Sequence, residues 1–204
     1  MRYVVAVAAP IGGGKTSLVK AIANKLKDAT TIHYDHYEKT TQEPVHNLVQ
    51  WMKNGANFND FIAPNLSYDL DRLKRGESVI DPLTQMKIAS KKYIIFEMPL
   101  GKEHQDTKGY IDLLIWIEIP LDIALARKVK EFTDMFLTKH KQEGYKDCIV
   151  WLNKYIDNYL NVVRDVLQIQ KKAVRAKADI IIDGQLDFET MVQNATQEIL
   201  NKTT

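Results

Sequence analysis

Three glycines, a lysine and two hydroxyl residues stand in one row in the run APIGGGKTS, at Gly12, Gly13, Gly14, Lys15, Thr16 and Ser17. Consecutive glycines let backbone N–H groups turn inward around an anion. A lysine directly behind them brings a compact charge to the outer phosphates of a nucleotide, and the next hydroxyl suits Mg²⁺. The spacing fits the phosphate-loop pattern G-x-x-x-x-G-K-[ST], except that Ala9 stands where a first glycine is usual. Ala9, Pro10 and Ile11 complete the expected cradle around the glycines, Lys15, Thr16 and Ser17. A helix beginning there adds the positive end of its dipole.

Four other places carry chemistry. In HYDHYEK, Asp35 is placed to take a proton from a substrate hydroxyl or to hold a metal-bound water. Glu97 ends the apolar run KYIIF, as a carboxylate does where it holds Mg²⁺ beside a phosphate loop. In PLDIALARKVKEF, Arg127 leads a basic stretch with Lys128 and Lys130. An arginine there could stabilise charge on a transferred phosphoryl group, although basic runs on helices are commonly solvated faces. Gly184 and Gln185 follow ADIIID, where a loop can pack on a purine base. His33, Asp35 and His36 invite a zinc reading, but a zinc site needs three or four converging ligands, and a strand would put His36 opposite the other two. The run NKYID is one residue longer than the guanine-reading N-K-x-D and lies in a helical stretch, which argues against a GTPase.

These groups need a scaffold. Residues 3–8, 30–34, 92–96, 112–119 and 179–182 read as strands, and most are continuous apolar runs. Residues 16–26, 44–52, 67–74, 121–136 and 188–200 read as helices, with a further helical region broken near Gly144 and running to about residue 176. Alternating strands and helices with continuous apolar runs in the central strands predict a parallel sheet covered on both faces. Ligands in such sheets bind beyond the carboxyl ends of the strands, where the groups above lie.

Composition narrows the classes. The chain has 204 residues, 45% hydrophobic and 26% charged, which is ordinary globular usage. A net charge of +2 is too balanced to predict a nucleic-acid partner. The apolar run YVVAVAA sits at the short end for a leader and runs into glycines, so neither a signal peptide nor a membrane anchor is expected. One cysteine, Cys148, allows no internal disulfide and fits a cytoplasmic setting.

Four segments resemble the uridine kinase and phosphoribulokinase family of P-loop kinases: APIGGGKTSL, HYDHYEK, NLSYDLDRLKRGESVIDP, and IEIPLDIALARKVK with the later ADIIIDG. The resemblance implies an α/β, three-layer P-loop NTPase fold with a five-stranded, mostly parallel sheet. It implies one kinase domain over residues 1–204, with a small lid over about 127–147. It implies ATP and Mg²⁺ as cofactors, with Asp35 as catalytic base, Tyr37 as an aromatic on the substrate side, and Arg127 as a lid arginine. The acceptor would be a small hydroxylated molecule: a nucleoside, a sugar or a vitamin precursor. The chain departs from the family where Pro82 is followed by LTQMK instead of Tyr-x-Phe, and where Glu97 is followed by Met98 instead of glycine. Those departures leave pyrimidine nucleosides open as substrates, as they do an alternative role as a nucleotide-binding switch or accessory module. Oligomerisation is open too, with Trp51 and Trp151 as candidate interface or core residues.

Overall fold

The strands alternate their apolar side chains between two cores. In β1 (Tyr3–Ala8), Val4, Ala6 and Ala8 face one way and Val5 and Val7 the other. β5 (Tyr93–Glu97) and β6 (Leu113–Glu118) repeat the division, with Ile94, Phe96, Leu114 and Trp116 on the first side. This period of two, with both sides apolar, is what a sheet covered on both faces requires. β2 (Ala29–His33) and β7 (Ile180–Asp183) complete the sheet, in the order β2-β5-β1-β6-β7 with every pairing parallel. The computed structural model describes residues 2–38, 48–139 and 145–203.

Helices supply the outer layers. α1 (Lys15–Leu26) and α8 (Phe188–Thr203) cover one face through Leu18, Val19, Ile22, Val192, Ala195 and Ile199. α2 (Leu48–Lys53), α3 (Leu66–Arg75) and α7 (Arg164–Ala176) cover the other through Trp51, Leu66, Leu70, Leu73 and Val174. The short α4 (Gln105–Lys108) lies between β5 and β6. After β6 come α5 (Leu121–Lys139) and α6 (Tyr145–Asn158), which runs through a π turn at Tyr159–Val163 into α7. The expected three-layer α/β fold and five-stranded sheet are therefore present.

Two local expectations differ. The second strand ends at His33, and Tyr34–His36 forms a 3₁₀ turn, so the alternation argued for His33, Asp35 and His36 does not apply. The rings of His33 and His36 instead approach to 5.2 Å. A small antiparallel hairpin, β3 (Val79–Ile80) with β4 (Lys87–Ile88), forms where no strand is predicted. Its strands are two residues long, too short for periodicity to register. The helix expected over 44–52 is seen from Leu48, and its first turn and the expected break at Gly144 lie outside the described residues. NKYID lies within α6, where Asn153 donates to Asp157 along the helix at 3.3 Å. Trp51 is buried and donates to the Asn57 carbonyl, whereas Trp151 stacks on Tyr155 and meets Phe132 between α5 and α6. Among the described residues, no helix is long and apolar enough to cross a membrane.

Candidate active site

β1 occupies the centre of the sheet, so the chain leaving it emerges between β5 and β6. The loop it enters is built on glycine. Gly12 has φ +77°, and a Cβ placed there would stand 2.1 Å from the Ala124 carbonyl oxygen on α5. Gly12→Ala is therefore expected to destabilise the protein by about 1–3 kcal/mol from overpacking alone, with backbone strain in addition. Urea unfolding measures it, and an unchanged midpoint would show that α5 can yield. The missing first glycine finds its explanation at Gly13. A Cβ on Gly13 would stand 2.7 Å from the Ala9 methyl, so this loop accommodates Ala9 by keeping Gly13 bare. The Gly13 amide closes the turn onto the Pro10 carbonyl at 2.9 Å.

Lys15, Thr16, Asp35, Glu97 and Arg127 line one cavity of about 500 Å³, together with Ile11, Gly12, Gly14 and Ser17. The Lys15 ammonium donates to the Pro10 carbonyl at 3.3 Å. Loss of hydration lowers its pKa, while Glu97 and Asp35 pull it back up. The Thr16 hydroxyl donates to Glu97 Oε1 at 2.9 Å and lies 3.0 Å from Oε2. Register puts His33 beside Glu97 on neighbouring strands, and His33 Nδ1 is 3.0 Å from Glu97 Oε2. Burial would raise the pKa of Glu97. Hydrogen bonds from His33 and Thr16 and the charge of Lys15 outweigh it, and the net shift is down. Glu97 is thus an ionised carboxylate, so His33 presents Nδ1–H to it.

Asp35 projects from the 3₁₀ turn into the same cavity. Desolvation raises its pKa, and the neighbouring charge of Glu97 adds to the rise, against the pull of Lys15. Tyr37 turns inward and is not among the side chains lining the cavity. It is 5% exposed, and its hydroxyl donates to Asp69 Oδ2 at 3.0 Å. Burial and the Asp69 carboxylate push the Tyr37 pKa up. Arg127 donates to the Gly184 carbonyl at 3.1 Å, which ties α5 to the loop after β7. In that loop Gly184 is buried, with its amide on the Glu118 carbonyl, and Gln185 is exposed.

The Thr16 hydroxyl and the Glu97 carboxylate are hard oxygen donors, the kind Mg²⁺ takes. Among the described residues no group of three or more His, Cys, Asp or Glu is arranged to hold a metal ion. The fit is therefore to a cation that completes its shell with phosphate and water.

Sequence reasoning missed several residues here. Lys128 also lines the cavity, pairs with Glu131 at 2.8 Å and sits 4.6 Å from the centre of the Phe132 ring. The basic stretch on α5 held the signal, but only packing against Gly12 shows which cations face the loop. Lys130 instead pairs with Asp134 at 3.0 Å. His36 Nδ1 lies 2.6 Å from Asp81 Oδ2, which joins the turn carrying Asp35 to the β3–β4 hairpin. No sequence pattern announced that pairing.

No family model matches the chain, and no curated protein matches it by sequence. In three dimensions it is similar to a possible uridine kinase from Bacillus stearothermophilus, at 12% identity and a TM-score of 0.57, with 89% of each chain covered. It is also similar to a shikimate kinase from Acinetobacter baumannii in complex with shikimate, at 14% identity and a TM-score of 0.49, over 100% of this chain and 93% of that one. The first likeness, with the sheet order and the glycine loop between β1 and α1, shows that this chain shares the three-layer α/β fold of that structure.

Proposed function

We propose that this chain is an ATP-dependent phosphotransferase that moves the γ-phosphoryl group to a hydroxyl of a small molecule. One observation carries the reading: a phosphate loop, a Thr–Glu oxygen pair, a carboxylate with a raised pKa and two cations on α5 all face one cavity at the carboxyl end of the sheet. Positioning and charge stabilisation supply most of the catalysis in such transfers. The loop amides and Lys15 hold the β- and γ-phosphates. Thr16 and Glu97 would hold Mg²⁺, which neutralises charge on the phosphates when bound. The acceptor oxygen forms its bond to the γ-phosphorus as the bond to the β–γ bridging oxygen breaks, ADP leaves, and Asp35 receives the hydroxyl proton. Arg127 and Lys128 face the charge that develops on the transferred group.

In this reading the lid spans about residues 127–147, of which 140–144 lie outside the described residues, and the loop at Gly184 and Gln185 flanks the purine. Tyr37, bonded to Asp69, braces the wall behind Asp35 on the acceptor side. The acceptor belongs to the nucleosides, sugars or vitamin precursors. A cytoplasmic setting, with ATP, Mg²⁺ and a reduced Cys148, fits the same reading.

The test is a screen of these acceptor classes with Mg-ATP, reading ADP release. At least one class is expected to raise ADP formation well above the rate with water alone. Tight Mg-ATP binding with no response to any acceptor would replace the kinase by a nucleotide-binding switch.

A further inference from the structure

The steps above leave unused a buried carboxamide that sits behind the phosphate loop. Gln170, on α7, is 7% exposed. Its Nε2 donates to the Ala9 carbonyl at 3.3 Å and to the Pro99 carbonyl at 2.8 Å. Ala9 opens the phosphate loop, and Pro99 lies two residues beyond Glu97. Both partners are carbonyls that can only accept, so chemistry settles the orientation of the amide: its NH₂ faces them and Oε1 points away. Oε1 is itself buried without a hydrogen-bond partner among the described residues. A buried acceptor left without a donor costs stability. The arrangement is thus poor as a stabilising device and well suited to fixing the separation of two loops.

The helix that carries Gln170 has a second anchor. Its π turn begins at Tyr159, whose hydroxyl donates to the Leu121 carbonyl at the first residue of α5 at 3.3 Å. One continuous helical rod therefore touches the start of the helix bearing Arg127 and Lys128, the start of the phosphate loop, and the segment after Glu97.

We infer that Gln170 is a positioning residue for phosphoryl transfer: its carboxamide holds Ala9 and Pro99 in one register, so that Lys15 and Glu97 meet the nucleotide together. The inference rests on the phosphotransferase reading for its catalytic consequence, and on the hydrogen bonds alone for its structural one.

Two variants test it. Gln170→Met keeps the bulk and removes the donors, and Gln170→Glu keeps the shape but sets acceptors against the two carbonyls. Hydrogen exchange of the free protein is expected to quicken about tenfold in residues 9–14 and 97–101 together, with α8 unchanged. Mg-ATP affinity should shift by less than about threefold while turnover falls about 10–100-fold, since small misplacements act on the reacting geometry. Wild-type exchange in both segments of Gln170→Met would overturn the pin. Faster exchange with wild-type turnover would reduce Gln170 to a packing residue and overturn its positioning role. If the wild-type protein binds Mg-ATP but phosphorylates nothing, the phosphotransferase reading falls, and the paired exchange change still decides for or against the pin.

Discussion

Asp35→Asn is expected to lower turnover by about 10²–10⁴-fold while leaving Mg-ATP affinity close to wild type. The substitution keeps the shape of the side chain and removes its capacity to take a proton. Asp35 works as a base only when ionised, and its pKa is raised by desolvation and by the charge of Glu97. Wild-type turnover should therefore fall as pH drops through that raised value, because the protonated carboxyl cannot accept. The asparagine variant should lose this acid limb and show a low, flatter profile. Turnover and the pH–rate curve check both parts. Wild-type turnover in the variant would remove Asp35 from the chemistry and leave it as a polar residue at the cavity mouth.

Lys15→Met is expected to separate function from stability. The ammonium is held in a site that lowers its pKa by desolvation, and its hydrogen bond is to the Pro10 carbonyl at 3.3 Å. Before the nucleotide arrives, keeping that charge there is costly for the folded state. A methionine of similar length should leave thermal stability unchanged or slightly higher, as when an active-site charge is exchanged for function. Turnover should fall by about 10²–10³-fold, the usual loss when one preorganised donor to developing charge is removed. Thermal melts and turnover on the same preparation decide it. A variant that melts well below wild type and keeps its turnover would make Lys15 a structural cation.

The two predictions differ in how far sequence could reach. Lys15 and Thr16 are legible because the motif is local: the lysine and hydroxyl open α1 directly behind the glycine loop, and their neighbours in sequence are their neighbours in space. Asp35 was legible only as a carboxylate after a strand. That it faces the cavity depends on a 3₁₀ turn which replaces the last residue of the expected strand. Tyr37 shows the limit more sharply. The family resemblance implies an aromatic on the substrate side there, whereas the turn swings Tyr37 into the core against Asp69. A change of one residue in where a strand ends alters which way every following side chain points.

Long-range partners were beyond sequence altogether. In sequence His33 draws notice only through the zinc reading with Asp35 and His36, and the β2–β5 register places it against Glu97, 64 residues away. Lys128 was one cation among three in the basic stretch of α5, and the approach of that helix to Gly12 singles it out with Arg127. Gln170 carried no signal, being an ordinary polar residue in a helix whose hydrogen bond to Ala9 spans 161 positions.

By itself, the sequence determined the phosphate loop, the five strands, the parallel sheet that their apolar runs imply and the helices that cover it. Those follow from the steric freedom of glycine, from periods of two and 3.6, and from burial, all of which act over a few residues. The tertiary structure alone decided that Glu97 is shared by Thr16 and His33, that Ala9 fits because Gly13 is bare, and that one glutamine ties two strand ends together. Such pairings depend on register and on helix approach, which the packing of the whole chain sets and no short stretch of it encodes.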